Sequence, residues 1–387
     1  MIYIFILLYI IILINKFDYK RNNREFKIHY YALLIVMILV SGLSYRLGTD
    51  VVNYISRFSN INIQEDFFPL TKYESEYGWH ALNYFCKSVL PDFVLVKLVI
   101  SIFVNSTVFW FFRNHSRNFF TCVLLYYLFQ YWNFNFEILR ESISISIFLI
   151  ALHQLIKKTR ANILKYCVLM LLASLFHHMA IFMLLLPFVA KLLKYNKLYI
   201  VILASCYLLS GILLLYLSDY VQLYLSGFYA DVALDYMESE EYGEMNLNMV
   251  GIAFNFITTI LPVILIASRR KHSHDIFVSF ALLYTLIAVL MNGLFILYRI
   301  NNYLIFPTII MFSQYYRVYV SDISCNAIQK YKYRRIPMVE FIICWSLIII
   351  GATNNKFEED TYRRYTPYSS IFFKTINMER ERIYYYD

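Results

Sequence analysis

Five short stretches of this sequence combine side chains that could bind an anion with side chains that could accept a proton. An arginine guanidinium is a permanent cation whose planar fork suits phosphate, and a histidine or carboxylate can take a proton from a hydroxyl group. Together they could support a transfer reaction in which an anionic group leaves. The stretches are Arg46 to Asp50, Glu76 to Gly78, Glu137 to Glu141, His177 with His178, and Arg299 to Tyr303.

The first and third stretches also have structural explanations. Arg46 could extend its guanidinium to a membrane interface, and Asp50 could cap a following helix. Glu137 and Arg140 are three residues apart, so a shared helical face predicts a local ion pair. Glu141 follows Glu137 by four residues and would repel it on that face, so three charges at the head of an apolar segment favour a functional role.

The remaining stretches leave similar choices open. His177 and His178 would point about 100° apart on a helix, and no third ligand is evident, so we predict no metal site. His177 is either a hydrogen-bonding residue at a segment end or a general base. Arg299 either reaches the interface or binds phosphate. The sequence has no P-loop, G-x-G-x-x-G, G-x-S-x-G or H-E-x-x-H motif, so we predict no cofactor and no nucleotide.

The elements that must position these residues are membrane spans. The chain has 387 residues, of which 60% are hydrophobic and 16% charged, and its apolar runs approach the roughly 20 residues that cross a bilayer. We predict an all-α, polytopic integral membrane protein of about 12 transmembrane helices, with one domain at 1–352 and a tail at 353–387. The predicted spans are 1–15, 29–45, 92–112, 119–133, 141–156, 161–176, 179–190, 198–217, 248–267, 276–296, 300–316 and 337–352.

Basic residues set the predicted orientation. Alternate inter-span loops, the first of them at 16–28, carry 21 of the chain's 35 Lys and Arg residues, whereas the opposite loops carry 6. Cytoplasmic loops are rich in Lys and Arg, so both termini and the two long loops, 46–91 and 218–247, are predicted outside the cell membrane. The net charge of +9 is spread over these short loops, and we predict no nucleic-acid partner.

The first outer loop contains two amphipathic stretches. Such segments lie along a membrane surface with the apolar side down, so we predict interfacial helices there. The two apolar faces comprise Val51, Tyr54, Ile55 and Phe58, and then Trp79, Leu82, Cys86 and Val89. With this topology, all five chemical stretches lie at the outer ends of spans. Ionisable groups near a membrane core are costly and are usually paired or functional, so their collection at one face predicts an active site.

These residues, in this order, resemble the EpsG family of bacterial exopolysaccharide proteins, within the wider group of Wzy-like polymerases that serve capsule and O-antigen synthesis. The resemblance extends from about residue 20 to about residue 370. One departure is Glu141, which stands where the family pattern has an uncharged residue. The matching pieces are Arg46 to Asp50 with Tyr54, Glu76 to Gly78, Arg140, Phe176 to Ala180, Arg299 to Tyr303, and Thr366 to Tyr368.

The resemblance implies a metal-independent glycosyltransferase of the bacterial inner membrane. It would join oligosaccharide repeat units carried on undecaprenyl diphosphate at the outer face, beside membrane lipid, flippase and chain-length regulator proteins. The candidates for stabilising the departing diphosphate are Arg140, Arg299 and Arg46. The candidates for the base are His177, Glu137 and Asp50. The candidates for contacts with the glycan are Glu76, Tyr54 and Tyr303.

Two other functions remain compatible with the sequence. A transporter or flippase for the same lipid-linked sugars is expected to place charges near the bilayer midplane and to contain repeats. Here the charges gather at one face and no repeat is evident, which favours an enzyme. Another outer-face polyprenyl-dependent glycosyltransferase or ligase would use the same arginines and histidine, and would differ in its acceptor.

Overall fold

The computed structural model describes a helical protein. Within the described residues there is no β-strand, and isolated bridges join Ser370 to Ser44 and to Phe373. The all-α prediction is confirmed. The residues that the structure describes are 2–20, 24–64, 76–157, 159–224, 249–269, 275–292, 295–324, 336–353, 359–374 and 376–386.

The chain divides into two compact units. Unit 1 comprises Met1–Leu184 with Ala352–Asp387, and unit 2 comprises Leu185–Gly351. The helices that begin in unit 1 before residue 185 are α1 (Ile2–Leu13, continued by a π-helical turn, Ile14–Tyr19), α2 (Phe26–Gly42), α3 (Thr49–Ser59), α4 (Tyr77–Val89), α5 (Val94–His115), α6 (Phe119–Phe129), α7 (Tyr131–Phe136), α8 (Leu139–Ile156), α9 (Arg160–Ser174) and a 3₁₀-helix, His178–Leu185.

Unit 2 and the end of the chain continue the helical architecture. The helices are α10 (Leu186–Leu192), α11 (Lys197–Tyr224), α12 (Met249–Asn255), a π-helical turn (Phe256–Ile260), α13 (Leu261–Arg269), α14 (Ile276–Leu290), a 3₁₀-helix (Phe295–Leu297), α15 (Tyr298–Ser324), α16 (Ile336–Thr353), α17 (Glu359–Tyr365) and α18 (Met378–Tyr386). The last two belong to unit 1.

Many of these helices are apolar enough to lie in a membrane. The length and composition of four described segments suffice to span a bilayer: Ile2–Tyr19, Val94–His115, Leu139–Ile156 and Gly251–Ser268. Shorter apolar helices are Phe26–Gly42, Phe119–Phe129, His178–Val189, Lys197–Ser210, Ile276–Leu290 and Ile342–Thr353. These helices expose many large apolar side chains, as helices that face lipid do, and the chain is a membrane protein.

Several predicted spans have different bounds in the structure. The predicted span 119–133 is divided at Gln130 into α6 and α7, and the predicted span 179–190 is a 3₁₀-helix followed by the short α10, which has a proline in its first turn. The predicted spans 198–217 and 300–316 belong to longer helices, α11 and α15. Apolar runs end at the first polar residues, but a helix can continue beyond the bilayer. The predicted loop 218–247 lies outside the described residues from 225 onward.

The residues after 359 pack against the start of unit 1. Ile371 N donates to Leu43 O at 2.9 Å, and Tyr45 N donates to Ser369 O at 2.9 Å. The Tyr3 hydroxyl donates to Tyr365 O at 3.1 Å. These bonds attach the tail to the first residues of α1 and to the segment after α2, which is where the Arg46 turn begins.

Candidate functional site

The turn before α3 requires a glycine. Gly48 has φ +93°, and a Cβ there would lie 2.0 Å from Phe136 O and 3.0 Å from the Glu137 carboxyl carbon. Only glycine adopts this backbone conformation readily and allows so close an approach. Arg46, two residues earlier, also has a positive φ of 48°. The turn therefore presses the start of α3 against the segment between α7 and α8.

Glu137 binds the first turn of α3. Its Oε2 accepts hydrogen bonds from Thr49 Oγ1 at 2.9 Å and from Asp50 N at 3.1 Å, so a carboxylate stands where the helix dipole favours negative charge. Within the described part of the chain, Glu137 Oε1 has no hydrogen-bond partner. Burial and the neighbouring Asp50 charge raise the pKa of Glu137 to about 7, although the bonds from Asp50 N and Thr49 and the charge of Arg364 act in the opposite direction.

A second cluster is built around one carboxylate. Glu76 Oε2 accepts from Arg140 Nη1 at 2.6 Å, and Glu76 Oε1 lies 2.9 Å from His177 Nδ1. The three residues come from the start of α4, the start of α8 and the turn after α9. We call Glu76, Arg140 and His177 the outer charged cluster, after the membrane face that the sequence predicts for them. Burial alone would raise the pKa of Glu76, but the bond from His177 and the charge of Arg140 hold it below its usual value.

Backbone contacts fix the cluster. Gly78 N donates to Leu175 O at 2.8 Å, and a Cβ on Gly78 would approach both this oxygen and the Phe176 ring to 3.0 Å. A glycine thus lets α4 begin directly against the end of α9. His177 N donates to Ala173 O at 3.1 Å as the helix ends, so the histidine occupies the predicted break between two apolar segments.

Arg140 is the most exposed member of the cluster. Its side chain is 30% exposed, whereas those of Glu76 and His177 are 9% and 10% exposed. Its guanidinium carbon lies 5.6 Å from the centre of the Tyr54 ring, and Tyr54 packs against Trp79 with ring centres 5.1 Å apart. Burial raises the pKa of the Tyr54 hydroxyl, so Tyr54 stays uncharged and places a neutral aromatic ring beside the Arg140 guanidinium.

The local pair of Glu137 with Arg140, which was the structural alternative to a functional role, does not form. Arg140 binds Glu76, 64 positions earlier, and Glu137 binds the residues that start α3. The physical reason is that α8 begins at Leu139, and Ile138 before it is non-helical. Glu137 therefore precedes the helix, and the i,i+3 geometry that the pairing assumed does not exist.

Glu141 lies beside the cluster; the sequence grouped it with Glu137 and Arg140 but gave it no catalytic or binding role. It is 1% exposed, and its Oε2 lies 3.7 Å from His177 Nε2. The imidazole thus has a carboxylate on each side, Glu76 at Nδ1 and Glu141 at Nε2. The sequence contained a signal for this residue, because a third charge at the head of a span has no local partner of opposite sign.

Arg46 occupies a different position from Arg140. It forms a bidentate ion pair with Glu381 in α18, with Nε to Oε1 at 3.1 Å and Nη2 to Oε2 at 2.5 Å. Buried Lys97 binds the residue two positions before Arg46. Its Nζ donates to Ser44 O at 3.1 Å and to Ser44 Oγ. Neither Glu381 nor Lys97 was a candidate from the sequence, because one lies in the tail and the other lies inside a span.

The other candidates belong to unit 2. Arg299 is in the first turn of α15, and its guanidinium carbon lies 5.3 Å from the centre of the Tyr298 ring. Tyr303, one turn later, is buried. Their membership of the site stays a prediction. Across the described ranges, no group of three or more His, Cys, Asp or Glu side chains has an arrangement that could hold a metal ion.

Comparison with known proteins gives one match. A family model described as the EpsG family matches residues 27–370, which is most of the chain. All five chemical stretches lie inside this range. No curated protein and no solved structure matches the chain.

Proposed function

The chain belongs to the EpsG family, and from this premise we propose that it is a polysaccharide polymerase. It transfers a glycan from one lipid diphosphate to the hydroxyl group of another lipid-linked repeat unit. The observation that carries the proposal is the Glu76 carboxylate, which holds Arg140 on one oxygen and His177 on the other. This carboxylate thereby holds a cation and a base next to each other within unit 1.

The reaction needs both of these groups. The acceptor oxygen forms a bond to the anomeric carbon, and the bond from that carbon to the diphosphate oxygen breaks with its electron pair on the diphosphate. One displacement of this kind inverts the anomeric centre. The exposed part of the Arg140 guanidinium stabilises the departing charge through charge-assisted bonds, as oxyanion donors do in other enzymes. No metal ion is required for this step.

The proton of the acceptor hydroxyl passes to His177. The Glu76 carboxylate accepts the Nδ1 hydrogen of this histidine, which leaves the lone pair on Nε2 to take the proton. The resulting imidazolium faces Glu141 at 3.7 Å and is stabilised by it. This pattern, in which a third group orients the base, recurs in nucleophilic and acid–base catalysis. Glu137 and Asp50 are the alternative bases.

The finer parts of the proposal follow from the charge distribution and from the family. About twelve spans with both termini outside would put the cluster at the outer face of the bacterial inner membrane. Undecaprenyl diphosphate is the proposed carrier on both substrates, and Arg299 and Tyr303 are further candidates for diphosphate and glycan contacts. A flippase would deliver the substrate, and a chain-length regulator would act on the product.

Deletion of the gene tests the proposal in cells. Deleted cells should contain single lipid-linked repeat units and no long polysaccharide, which gel electrophoresis of extracted glycans would reveal. Re-expression of the wild-type protein should restore long chains. Normal chain lengths in a clean deletion would reject the proposal.

Purified protein separates polymerisation from transport. Detergent-solubilised protein with lipid-linked repeat units should lengthen the glycan without a membrane or an ion gradient. A flippase would leave glycan length unchanged under these conditions. Lengthening only when lipid A core or a protein is supplied as the acceptor would instead identify a ligase.

A further inference from the structure

Unit 1 contains a second cationic place, separate from the outer charged cluster. It is a cavity of about 390 Å³ beside α3. None of Glu76, Arg140 and His177 lines it. The lining comprises Ser44, Tyr45, Arg46, Ile55, Phe58, Ser59, Lys87, Pro91, Asp92, Phe93, Val94, Lys97 and Ile371. We call it the α3 cavity.

Three basic side chains line the α3 cavity, and each is held in place. Lys87 Nζ donates to the carbonyl oxygens of Phe58, Ser59 and Ile61, each at 2.8 Å. Lys97 Nζ donates to both oxygens of Ser44. The three carbonyl partners of Lys87 are neutral, so they do not compensate the charge of its ammonium group.

Lys87 therefore contributes a positive charge to the α3 cavity. No described carboxylate lies within 4 Å of the ammonium group of Lys87 or Lys97. Arg46 is paired with Glu381, and Asp92 is the acidic residue in the lining. An uncompensated cation in a partly buried place attracts an anion strongly because the local dielectric constant is low.

The walls of the α3 cavity are apolar. Ile55, Phe58 and Phe93 line it, and the rings of Phe58 and Phe93 pack with centres 5.5 Å apart. Cationic nitrogens beside aliphatic and aromatic surface suit an amphiphile that carries phosphate on an apolar chain. A soluble anion would use only the cations, so the combination favours a lipid.

We propose that the α3 cavity binds the phosphate groups of the acceptor, the second lipid-linked molecule of the polymerisation. This inference rests on the proposed function, in which both substrates carry a lipid diphosphate. One cationic cluster can stabilise only one of them. The acceptor hydroxyl lies at the far end of its repeat unit, so its diphosphate must be held apart from Arg140, and the α3 cavity, whose lining does not include Arg140, provides such a place.

The Glu381 carboxylate would compete with a bound phosphate for the Arg46 guanidinium at the α3 cavity. This carboxylate forms two hydrogen bonds with the Arg46 fork, which is the geometry that a phosphate would use. When the acceptor binds, its phosphate takes over the exposed part of this cation. Removal of the Glu381 charge should therefore tighten anion binding.

Binding of inorganic pyrophosphate and of a short prenyl diphosphate to the purified full chain tests the site. The measurement is made by calorimetry in an Arg140→Ala background, so that the outer charged cluster does not contribute. Ser59→Glu adds a carboxylate at an exposed lining position, and we expect about five- to ten-fold weaker binding. The size-matched Ser59→Gln and the exposed, non-lining Asn53→Glu should bind as the parent does. Equal affinities in all four proteins, or no binding in the Arg140→Ala parent, would overturn the proposal.

Glu381→Gln provides a test in the opposite direction. It keeps the side-chain size and removes the charge, and binding should tighten by about two- to five-fold. Unchanged or weaker binding by a folded variant contradicts the role of Arg46.

The lipid source is tested in nanodiscs. Prenyl diphosphate should bind equally in discs of phosphatidylcholine and in discs that contain phosphatidylglycerol. If phosphatidylglycerol abolishes this binding, the cavity is a phospholipid site and the acceptor assignment fails. In polymerisation assays, Ser59→Glu should raise KM for the acceptor and leave KM for the donor unchanged. A wild-type protein that never lengthens glycan would reject the proposed function, whereas the pyrophosphate measurement is independent of catalysis.

Discussion

Two polar networks in unit 1 differ in charge and exposure. Asn105, Tyr126 and Asn135 form a neutral network that is almost completely buried. Asn105 Nδ2 donates to Asn135 Oδ1 at 2.8 Å, the Tyr126 hydroxyl donates to Asn105 Oδ1 at 3.2 Å, and Asn135 Nδ2 donates to the Tyr126 hydroxyl at 3.0 Å. The outer charged cluster instead combines two buried groups with an Arg140 side chain that is 30% exposed.

The difference separates two uses of a buried polar group. A neutral network whose members satisfy one another fixes helix packing and offers nothing to a ligand. Buried charges are costly, and a charged network rarely stabilises a protein more than apolar residues would. When such a network also exposes part of a guanidinium group, a functional role accounts for the free-energy cost of burying its charges. The comparison therefore supports packing as the role of the first network and catalysis as the proposed role of the second.

Substitution of Arg140 should have the largest effect. Arg140→Ala removes the cation that stabilises the departing diphosphate, and we expect a loss of about 10²- to 10³-fold in the polymerisation rate. Arg140→Lys should recover only part of the rate, because an ammonium group lacks the planar fork. The measurement is glycan lengthening by purified protein, normalised to the amount of folded protein.

The matched control for this prediction is Arg57→Ala. Arg57 is an exposed arginine of α3, and its loss should leave the rate unchanged. A similar loss of rate in both variants would indicate a general effect of positive charge. A wild-type rate in Arg140→Ala would end the distinction between the two networks.

Glu137 sharpens the comparison because its charge depends on pH. Its pKa of about 7 lies above the ordinary value of 4.5, so the folded protein holds a proton that the unfolded chain releases at lower pH. Its contribution to stability is therefore fully present below about pH 4.5 and is lost as pH rises through 7. The free energy of unfolding should fall by about 3 kcal/mol over this interval.

Glu137→Gln should remove this fall. The amide oxygen can still accept from Thr49 and Asp50, and the side chain carries no titratable proton. Thermal unfolding in detergent at pH 5, 6, 7 and 8 provides the measurement, with Glu381→Gln as a control that removes a more exposed carboxylate. Parallel pH profiles of wild type and Glu137→Gln would show that Glu137 does not titrate in this range.

Substitution within the neutral network should reduce stability without reducing catalysis. Asn135→Ala removes one hydrogen bond from Asn105 Nδ2, which still donates to Ser101 O, and one from the Tyr126 hydroxyl, which still donates to Asn105 Oδ1. We expect a loss of about 2 kcal/mol in the free energy of unfolding, because two buried hydrogen bonds are lost. The rate per folded molecule should stay within about two-fold of wild type. A rate loss as large as that of Arg140→Ala would indicate that this network takes part in catalysis.

The sequence predicted the positions of these networks unequally. Periodicity predicted two amphipathic helices in the loop 46–91, and α3 and α4 confirm them as helices. Val51, Tyr54 and Phe58 are buried as expected for one face, but Val89 at the end of α4 is 78% exposed. An apolar face indicates what a helix can bury, and the neighbouring elements decide how much of it they cover.

Long-range partners were beyond the sequence. The order of residues gave no reason to join Glu76 to both Arg140 and His177, because the three are brought together only by the packing of α4, α8 and the end of α9. Glu381 as the partner of Arg46 was equally hidden, since the tail has no apolar pattern that predicts docking. Local rules cover pairs three or four residues apart, and these pairs are separated by 64 to 335 positions.

The smallest predicted effect concerns a neutral hydrogen bond that shares its acceptor, Ala173 O, with the backbone N–H of His177. Ser144 Oγ in α8 donates to Ala173 O at 3.0 Å, and the same oxygen accepts from His177 N at 3.1 Å. Ser144→Ala should cost about 1 kcal/mol of unfolding free energy, because the carbonyl keeps its backbone donors. Ser174→Ala, at a partly exposed position where the hydroxyl donates to Leu171 O, serves as the control for loss of a hydroxyl. If neutral contacts only fix the fold, Ser144→Ala will lower Tm slightly and leave the pH–rate profile unchanged. A shifted pH–rate profile would mean that this bond positions His177. Ser144 of α8 would then contribute to catalysis as well as to packing.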